Sequence, residues 1–178
     1  MNNVGAVSLR FDGFLAISDE QWLDTLNLTF LAAVRATRAA LPAMLERGAG
    51  NIVTVCSVNS FLPDPGVIDY CAAKAALANF SKALSKEVGP HGIRVNTVSP
   101  GPVETGLWLG EHGVASTIGG RHHQDPATII QSQAADSATG RFTRPDEVAA
   151  LVVLLAGGVA GNVTGSDIVI DGGLIKTL

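Results

Sequence analysis

The sequence predicts an α/β domain built on a parallel sheet, and three observations carry that prediction. Two continuous apolar runs, residues 51–57 and 93–98, read as strands buried on both faces rather than as alternating, half-exposed ones. They alternate with segments of helical periodicity at about 18–46, 69–88 and 145–156. No short hairpin turn joins any two strands, so consecutive strands connect through right-handed crossovers, which leave helices on both faces of the sheet.

The first helix is expected from Ser18 to about Glu46. Ser18 with Gln21 resembles a capping box at its start. Apolar residues recur at Leu23, Leu26, Phe30, Ala33, Val34, Leu41 and Met44, and Thr37 joins them by its methyl. Leu28, Leu31 and Ala32 lie off that stripe, so the helix is apolar on more than one face and packs on something besides its own sheet. Gly48-Ala49-Gly50 stops it, and the strand at 51–57 ends in Ser57. A loop with Pro63, Pro65 and Gly66 leads into the 69–88 helix, whose stripe is Ala73, Ala76, Leu77, Phe80, Leu84 and Val88. Gly89-Pro90-His91-Gly92 ends that helix, and Ser99-Pro100-Gly101-Pro102 closes the strand at 93–98. Between Gly106 and Gly140 periodicity is weak, and a structureless connection of that length is more often a functional lid. Pro145 opens the third helix with Asp146 and Glu147 at its positive end, and a last strand at about 167–170 closes in Asp171-Gly172-Gly173. The whole chain, 1–178, reads as one domain.

Composition narrows the function classes. With 178 residues, 47% of them hydrophobic and 16% charged, the chain is long and apolar enough for a packed core and is not a disordered segment. A net charge of −4 gives no electrostatic reason to expect nucleic acid or an anionic membrane as partner. Cys56 and Cys71 are too few for a disulfide framework and suit a reducing compartment. The first residues lack the basic and apolar regions of a signal peptide, and the longest strongly apolar stretch, residues 148–156, is far short of a membrane span of ~20 residues. A cytoplasmic protein is the expectation.

The chemistry concentrates around Tyr70, the one tyrosine of the chain. Lys74 follows it at i+4, the helical spacing that puts two side chains on one face. A phenol titrates near ~10, and a cation a few ångströms away lowers that by roughly 1–3 units. Such tuning makes a hydroxyl a usable proton donor and acceptor. Ser57, at the end of its strand, adds a second hydroxyl for the same substrate oxygen. His112, His122 and His123 lack the spacing of metal ligands, and no metal is expected. Cys56 faces away from Ser57 along the strand and reads as a core residue; Asp69 reads as a residue of the helix's first turn.

Together these pieces resemble the short-chain dehydrogenase/reductase family, of the oxoacyl reductase kind. Asn2-Asn3-Val4-Gly5 is similar to the family's Asn-Asn-Ala-Gly segment, and Ser57, Tyr70 and Lys74 match its catalytic serine, tyrosine and lysine. Residues 96–105, with Pro100, Gly101, Val103 and Thr105, resemble the segment that clasps the nicotinamide end of the cofactor, and residues 141–148 and 164–173 resemble the closing motifs. The resemblance implies a three-layer Rossmann-like sheet. It implies hydride transfer between NAD or NADP and a ketone or secondary alcohol through Ser57, Tyr70 and Lys74. It implies cofactor contacts from Asn2, Tyr70, Lys74, Pro100, Gly101, Val103 and Thr105. It also implies a homo-oligomer, dimer or tetramer, built through the 19–46 and 69–88 helices.

Two departures stand out. The family's fourth catalytic position, an asparagine, falls on Thr29 here rather than on Asn27. The chain also starts at the family's fourth strand, so the glycine-rich strand–turn–helix that binds the pyrophosphate is expected to be missing, with roughly 80–90 residues, about three strand–helix units. Gly157-Gly158-Val159-Ala160-Gly161 follows a helix rather than opening one and reads as a plain loop. On that reading the 178 residues alone bind the cofactor weakly, the strand at 51–57 becomes an exposed edge, and the rival to an active reductase is an inactive fragment that serves as an oligomerising or partner-completed chain.

Overall fold

The computed structural model describes residues 1–177 and holds three strands, β1 Gly50–Val55, β2 Ile93–Pro100 and β3 Asp167–Ile170, all parallel in the order β1-β2-β3. Gly50 lies opposite Ile93 and Val55 opposite Val98; Thr97 lies opposite Asp167 and Pro100 opposite Ile170. The helices in chain order are α1 Asp19–Leu26, α2 Ala32–Arg47, α3 Ile68–Val88, α4 Gly106–Leu109, α5 Val114–His122, α6 Pro126–Ala135 and α7 Pro145–Ala156.

Strand alternation sorts the core into two slabs. On one face Ile52, Ile93 and Val95 pack with Leu84 and Val88 of α3 and with Leu41 and Met44 of α2. On the other face Val53 and Val98 pack with Leu155, Val148, Leu151 and Val152 of α7. Helices therefore cover both faces, the α/β three-layer arrangement of a Rossmann-like sheet, which the apolar strands require. Where α2 and α3 end, two left-handed glycines meet: a Cβ on Gly92, at φ +76°, would stand 2.3 Å from the carbonyl oxygen of Gly48. Only glycine closes that junction.

Between α1 and α2 the helix passes through a π turn, Asn27–Leu31. Ser18 caps its start as the sequence suggests, accepting from the Gln21 N–H while the Gln21 side chain accepts from the Ser18 N–H. The wider turn changes the helical phase, so one stripe cannot describe both halves. Leu23, assigned to the core by periodicity, is 59% exposed, whereas Thr29, Ala33 and Thr37 are buried. By length and composition the span Asp19–Arg47 is apolar enough to cross a membrane, a feature the shorter run at 148–156 does not reveal. Here it packs on α3 and β1.

Two expectations need correction. The edge of β1 is not bare: Asn2 pairs with it in parallel, its N–H donating to the Val53 carbonyl at 2.9 Å and its carbonyl accepting from the Val55 N–H at 2.9 Å. The segment 106–140 is not structureless but folds into α4, α5 and α6. Asp125 caps α6, accepting from the Ala127 N–H at 2.9 Å with Pro126 at the first helical position. These helices are too short for their periodicity to stand out.

Candidate active site

The N-terminal end of α3 is built by its preceding loop. Asp64 accepts from the Gly66 N–H at 2.8 Å, which shapes the turn through Pro65 and launches the helix at Ile68. Asp69 is not a surface residue of that first turn: it is 1% exposed and ion-paired. Arg10 donates to its Oδ2 through Nε at 3.1 Å and also through Nη2, and Thr25 Oγ1 donates to the same oxygen at 2.7 Å. Burial by itself raises the Asp69 carboxyl, but these hydrogen bonds, the Arg10 charge and the Tyr70 backbone N–H outweigh it and hold the group below its ordinary range. One carboxylate thus ties the 6–17 loop and α1 to the helix that carries Tyr70.

Ser57 lies two residues past the end of β1, and its Oγ accepts from the Asn59 N–H at 3.2 Å. The Tyr70 phenol lies within its hydrogen-bonding reach. One turn further along α3, Lys74 is 4% exposed, its Nζ donates to the Val55 carbonyl at 2.8 Å, and it stands 5.6 Å from the centroid of the Tyr70 ring. Strand end and helix start therefore bring the serine, tyrosine and lysine together.

The electrostatics depart from the expectation drawn from spacing. Burial pushes the Tyr70 phenol up to about 12, partly opposed by the hydrogen bond from Ser57. Burial likewise pulls Lys74 below its ordinary value. Desolvation of the phenol, rather than the neighbouring ammonium, sets the direction of the shift here. Cys56 is buried beside Ala33 and Leu77, its thiol pushed up to about 12 by burial, as an inert core residue's is.

Ser57, Tyr70 and Lys74 line one wall of a cavity of about 800 Å³. Pro100, Gly101, Val103 and Thr105 line it from the end of β2. That segment is fixed from below, since Val103 bridges Thr143 and the Glu104 N–H donates to the Thr143 carbonyl at 2.9 Å. Asn2, expected at the cofactor, does not reach the cavity. Its backbone is spent on β1 and its Nδ2 donates to Thr37 at 3.2 Å and Thr54 at 3.3 Å. Asn3 and Gly5 line the cavity in its place. A Cβ on Gly5 would stand 3.6 Å from Lys74 Nζ and 3.7 Å from Thr29 Cγ2, so the missing side chain keeps the floor beside the lysine open.

Thr29 lies in the π turn, 1% exposed, with its Oγ1 buried and without a protein partner. Asn27 instead accepts from Arg35 at 3.0 Å on the surface. Over the cavity sits Trp108 of α4, held edge-on against Phe142 with ring centroids 5.2 Å apart. Nothing in the sequence singles out Trp108 except an aromatic residue in a weakly patterned segment. Asn3 and Gly5 are legible only as parts of the motif around Asn2.

Comparison with known proteins agrees with the fold. The family described as enoyl-(acyl carrier protein) reductase matches residues 1–175. The 3-oxoacyl-(acyl-carrier-protein) reductase FabG of Vibrio harveyi is 32% identical over 174 residues, 98% of this chain and 65% of that protein. The short-chain reductase protein NovJ of Streptomyces niveus is 33% identical over 89% of this chain and 58% of its own length. The acetoacetyl-CoA reductase of Allochromatium vinosum is 32% identical over 90% of this chain and 60% of its own length. The chain belongs to the short-chain dehydrogenase/reductase family. It spans about two thirds or less of the length of these relatives.

Proposed function

We propose that these residues form the substrate-side half of an NAD(P)-dependent reductase that converts a ketone to a secondary alcohol. The observation that carries this reading is the convergence of Ser57, Tyr70 and Lys74 on one cavity that the 100–105 segment also lines. The wall suits a nicotinamide cofactor: Gly5 leaves open floor beside Lys74, and the adjacent ammonium and phenol are the pair that would hold a ribose hydroxyl. Asn3, Pro100, Gly101, Val103 and Thr105 would complete its seat. Bound there, the reduced cofactor supplies the hydride.

The protein's share is orientation and the proton. Ser57 Oγ donates a hydrogen bond to the carbonyl oxygen, polarising it, and the Tyr70 phenol gives its proton to that oxygen as it gains charge. A phenol pushed up to about 12 is fully protonated at neutral pH, which is the form reduction needs. Lys74, buried and anchored on Val55, fixes the phenol's electrostatic surroundings. Thr29, whose methyl lies across Gly5 from Lys74 and whose buried hydroxyl has no partner among the described residues, would take the position of the family's asparagine.

A second copy of the chain is the proposed partner. Leu23, Leu28 and Leu45 on the 19–47 span are exposed, and α3 presents Ala72, Ala75 and Ala83 to solvent, small residues that permit close approach of another helix. A well-behaved monomer by light scattering at micromolar concentration would count against this. The reductase reading is tested by Tyr70→Phe: turnover collapses while NAD(P)H affinity and fold persist, and a variant that keeps its turnover removes the reading.

A further inference from the structure

We propose that the substrate end of this cavity selects an uncharged, apolar carbonyl or alcohol ligand and rejects carboxylates and phosphates. The inference rests on the reductase reading for what happens to the ligand, and on the cavity's own lining for which ligand enters. Away from the reacting hydroxyls much of that lining is aliphatic and aromatic, with Val7 and Leu9 from the N-terminal loop, Leu62 and Val67 before α3, Trp108 of α4 and Ile118 of α5, and its uncharged polar members are Asn3, Asn59, Thr105 and Gln133. Its charged members among the described residues are Lys74, Asp64 and Asp136.

An anionic ligand needs a cation or several N–H donors to replace its water. Lys74 is the one cation in the lining, and it already donates to Val55 at 2.8 Å beside the phenol. The guanidiniums around the cavity are taken as well. Arg10 is paired with buried Asp69, and Arg121 of α5 with Asp12 at 3.2 Å. Arg141 pairs with Glu147 at 2.7 Å and Arg144 with Asp146 at 3.0 Å, on either side of the turn that places Pro145 in the wall. A carboxylate or phosphate pushed into this space would lose its hydration, gain no guanidinium and face two aspartates. A neutral ketone of the same shape loses little water and gains the apolar contacts. An acyl group presented on an anionic carrier would have to leave the carrier's charges outside.

Two near-isosteric aryl ketones separate the cases: 4′-methylacetophenone, which is neutral, and 4-acetylbenzoate, which carries a carboxylate in place of the methyl. Their affinities for the protein are measured by titration calorimetry and ligand-observed NMR at neutral pH, without cofactor. The neutral ketone is expected to bind at least about tenfold more tightly. Trp108→Ala should weaken its binding, locating it in the cavity. Asp136→Lys, which supplies the missing cation from an exposed position, should shift the ratio toward 4-acetylbenzoate. Equal affinities, a preference for the carboxylate, or no binding of either ketone would overturn the inference. NAD(P)H-dependent turnover is scored separately: selective binding without turnover upholds the selection of uncharged ligands and removes the reductase reading instead.

Discussion

The floor and the roof of the cavity are built on different principles. The floor is the end of β1 and the start of α3, and its side chains are held by partly or fully buried hydrogen bonds: Lys74 to the Val55 carbonyl, Ser57 to the Asn59 N–H, and Asp69, beside Tyr70, to Arg10 and Thr25. The roof is α4, α5 and α6, short helices joined by turns, held by Trp108 against Phe142 and otherwise by contacts that face water, such as Arg121 with Asp12, whose side chains are 56% and 76% exposed. Buried contacts resist change in geometry, and exposed ones yield to it at little cost. Reaction type therefore belongs to the floor and choice of ligand to the roof. Substitutions in the two regions should differ in both the size and the kind of their effect.

The largest effect is expected at Tyr70. Tyr70→Phe removes the proton donor and should lower turnover by ~10²–10⁴, with thermal unfolding little changed. The same residue sets the pH dependence. With the phenol at about 12, alcohol oxidation, which needs the phenolate, should accelerate about tenfold per pH unit between neutrality and pH ~10, while ketone reduction stays flat over that range. An oxidation rate that levels off near neutrality would mean that the phenol is lowered in the working complex.

Next comes the anchor beneath it. Asp69→Asn leaves Arg10 largely buried without its charge partner, which should cost about 3 kcal/mol of stability at neutral pH in denaturant titration. The sign with pH follows from the depressed carboxyl: its contribution is present above the ordinary carboxyl pKa, near ~4, and is lost as pH falls through the lower folded value. The gap between wild type and Asp69→Asn should therefore narrow in acid. A gap that is constant with pH would assign the loss to packing rather than to the ion pair.

On the roof, Trp108→Ala should act on binding rather than chemistry. It removes an edge-on aromatic pair with Phe142 worth about 1 kcal/mol beyond its area. The Michaelis constant for an aryl ketone should rise roughly fivefold, with turnover at saturation nearly intact. A fall in turnover comparable to that of Tyr70→Phe would erase the distinction between floor and roof.

The floor was the more legible of the two in the sequence, for a physical reason. An i to i+4 spacing on a helix converts directly into geometry, so Tyr70 and Lys74 could be paired from their order, and resemblance to the family's motifs joined Ser57 to them. The parallel order of the strands followed in the same way. What escaped the sequence depends on distant partners or on burial. Asp69 reads only as a residue of the helix's first turn until Arg10, 59 positions away, is brought against it. Leu23 leaves the core because a π turn, which no periodicity announces, resets the phase of its helix. Asn3 rather than Asn2 lines the cavity because strand pairing, not motif position, decides which of them faces it. The tyrosine's shift has the opposite sign to the expectation because spacing shows the cation and hides the desolvation. The roof gave the least signal: its helices are short and its key contacts run between segments far apart in the chain.

The smallest effect is expected where the roof meets the N-terminal loop. Arg121 of α5 reaches Asp12 at 3.2 Å and lies over the ring of Phe11, 5.6 Å from its centroid, while His122 meets the same ring edge-on at 6.4 Å. These contacts span the gap between the 10–12 loop and the roof, but they are exposed and screened by salt. Arg121→Ala should lower stability by no more than ~1 kcal/mol, and by less as ionic strength rises. The loop stays attached through Arg10 and Asp69, so the chemistry at Tyr70 should continue at nearly the wild-type rate. What should change is the traffic of ligand: with the roof less firmly latched, association and dissociation both accelerate and affinity shifts little. Stopped-flow binding of a ketone to wild type and Arg121→Ala at low and high salt separates these outcomes. If the variant instead loses turnover as Tyr70→Phe does, the roof is part of the catalytic floor and the division drawn between them fails.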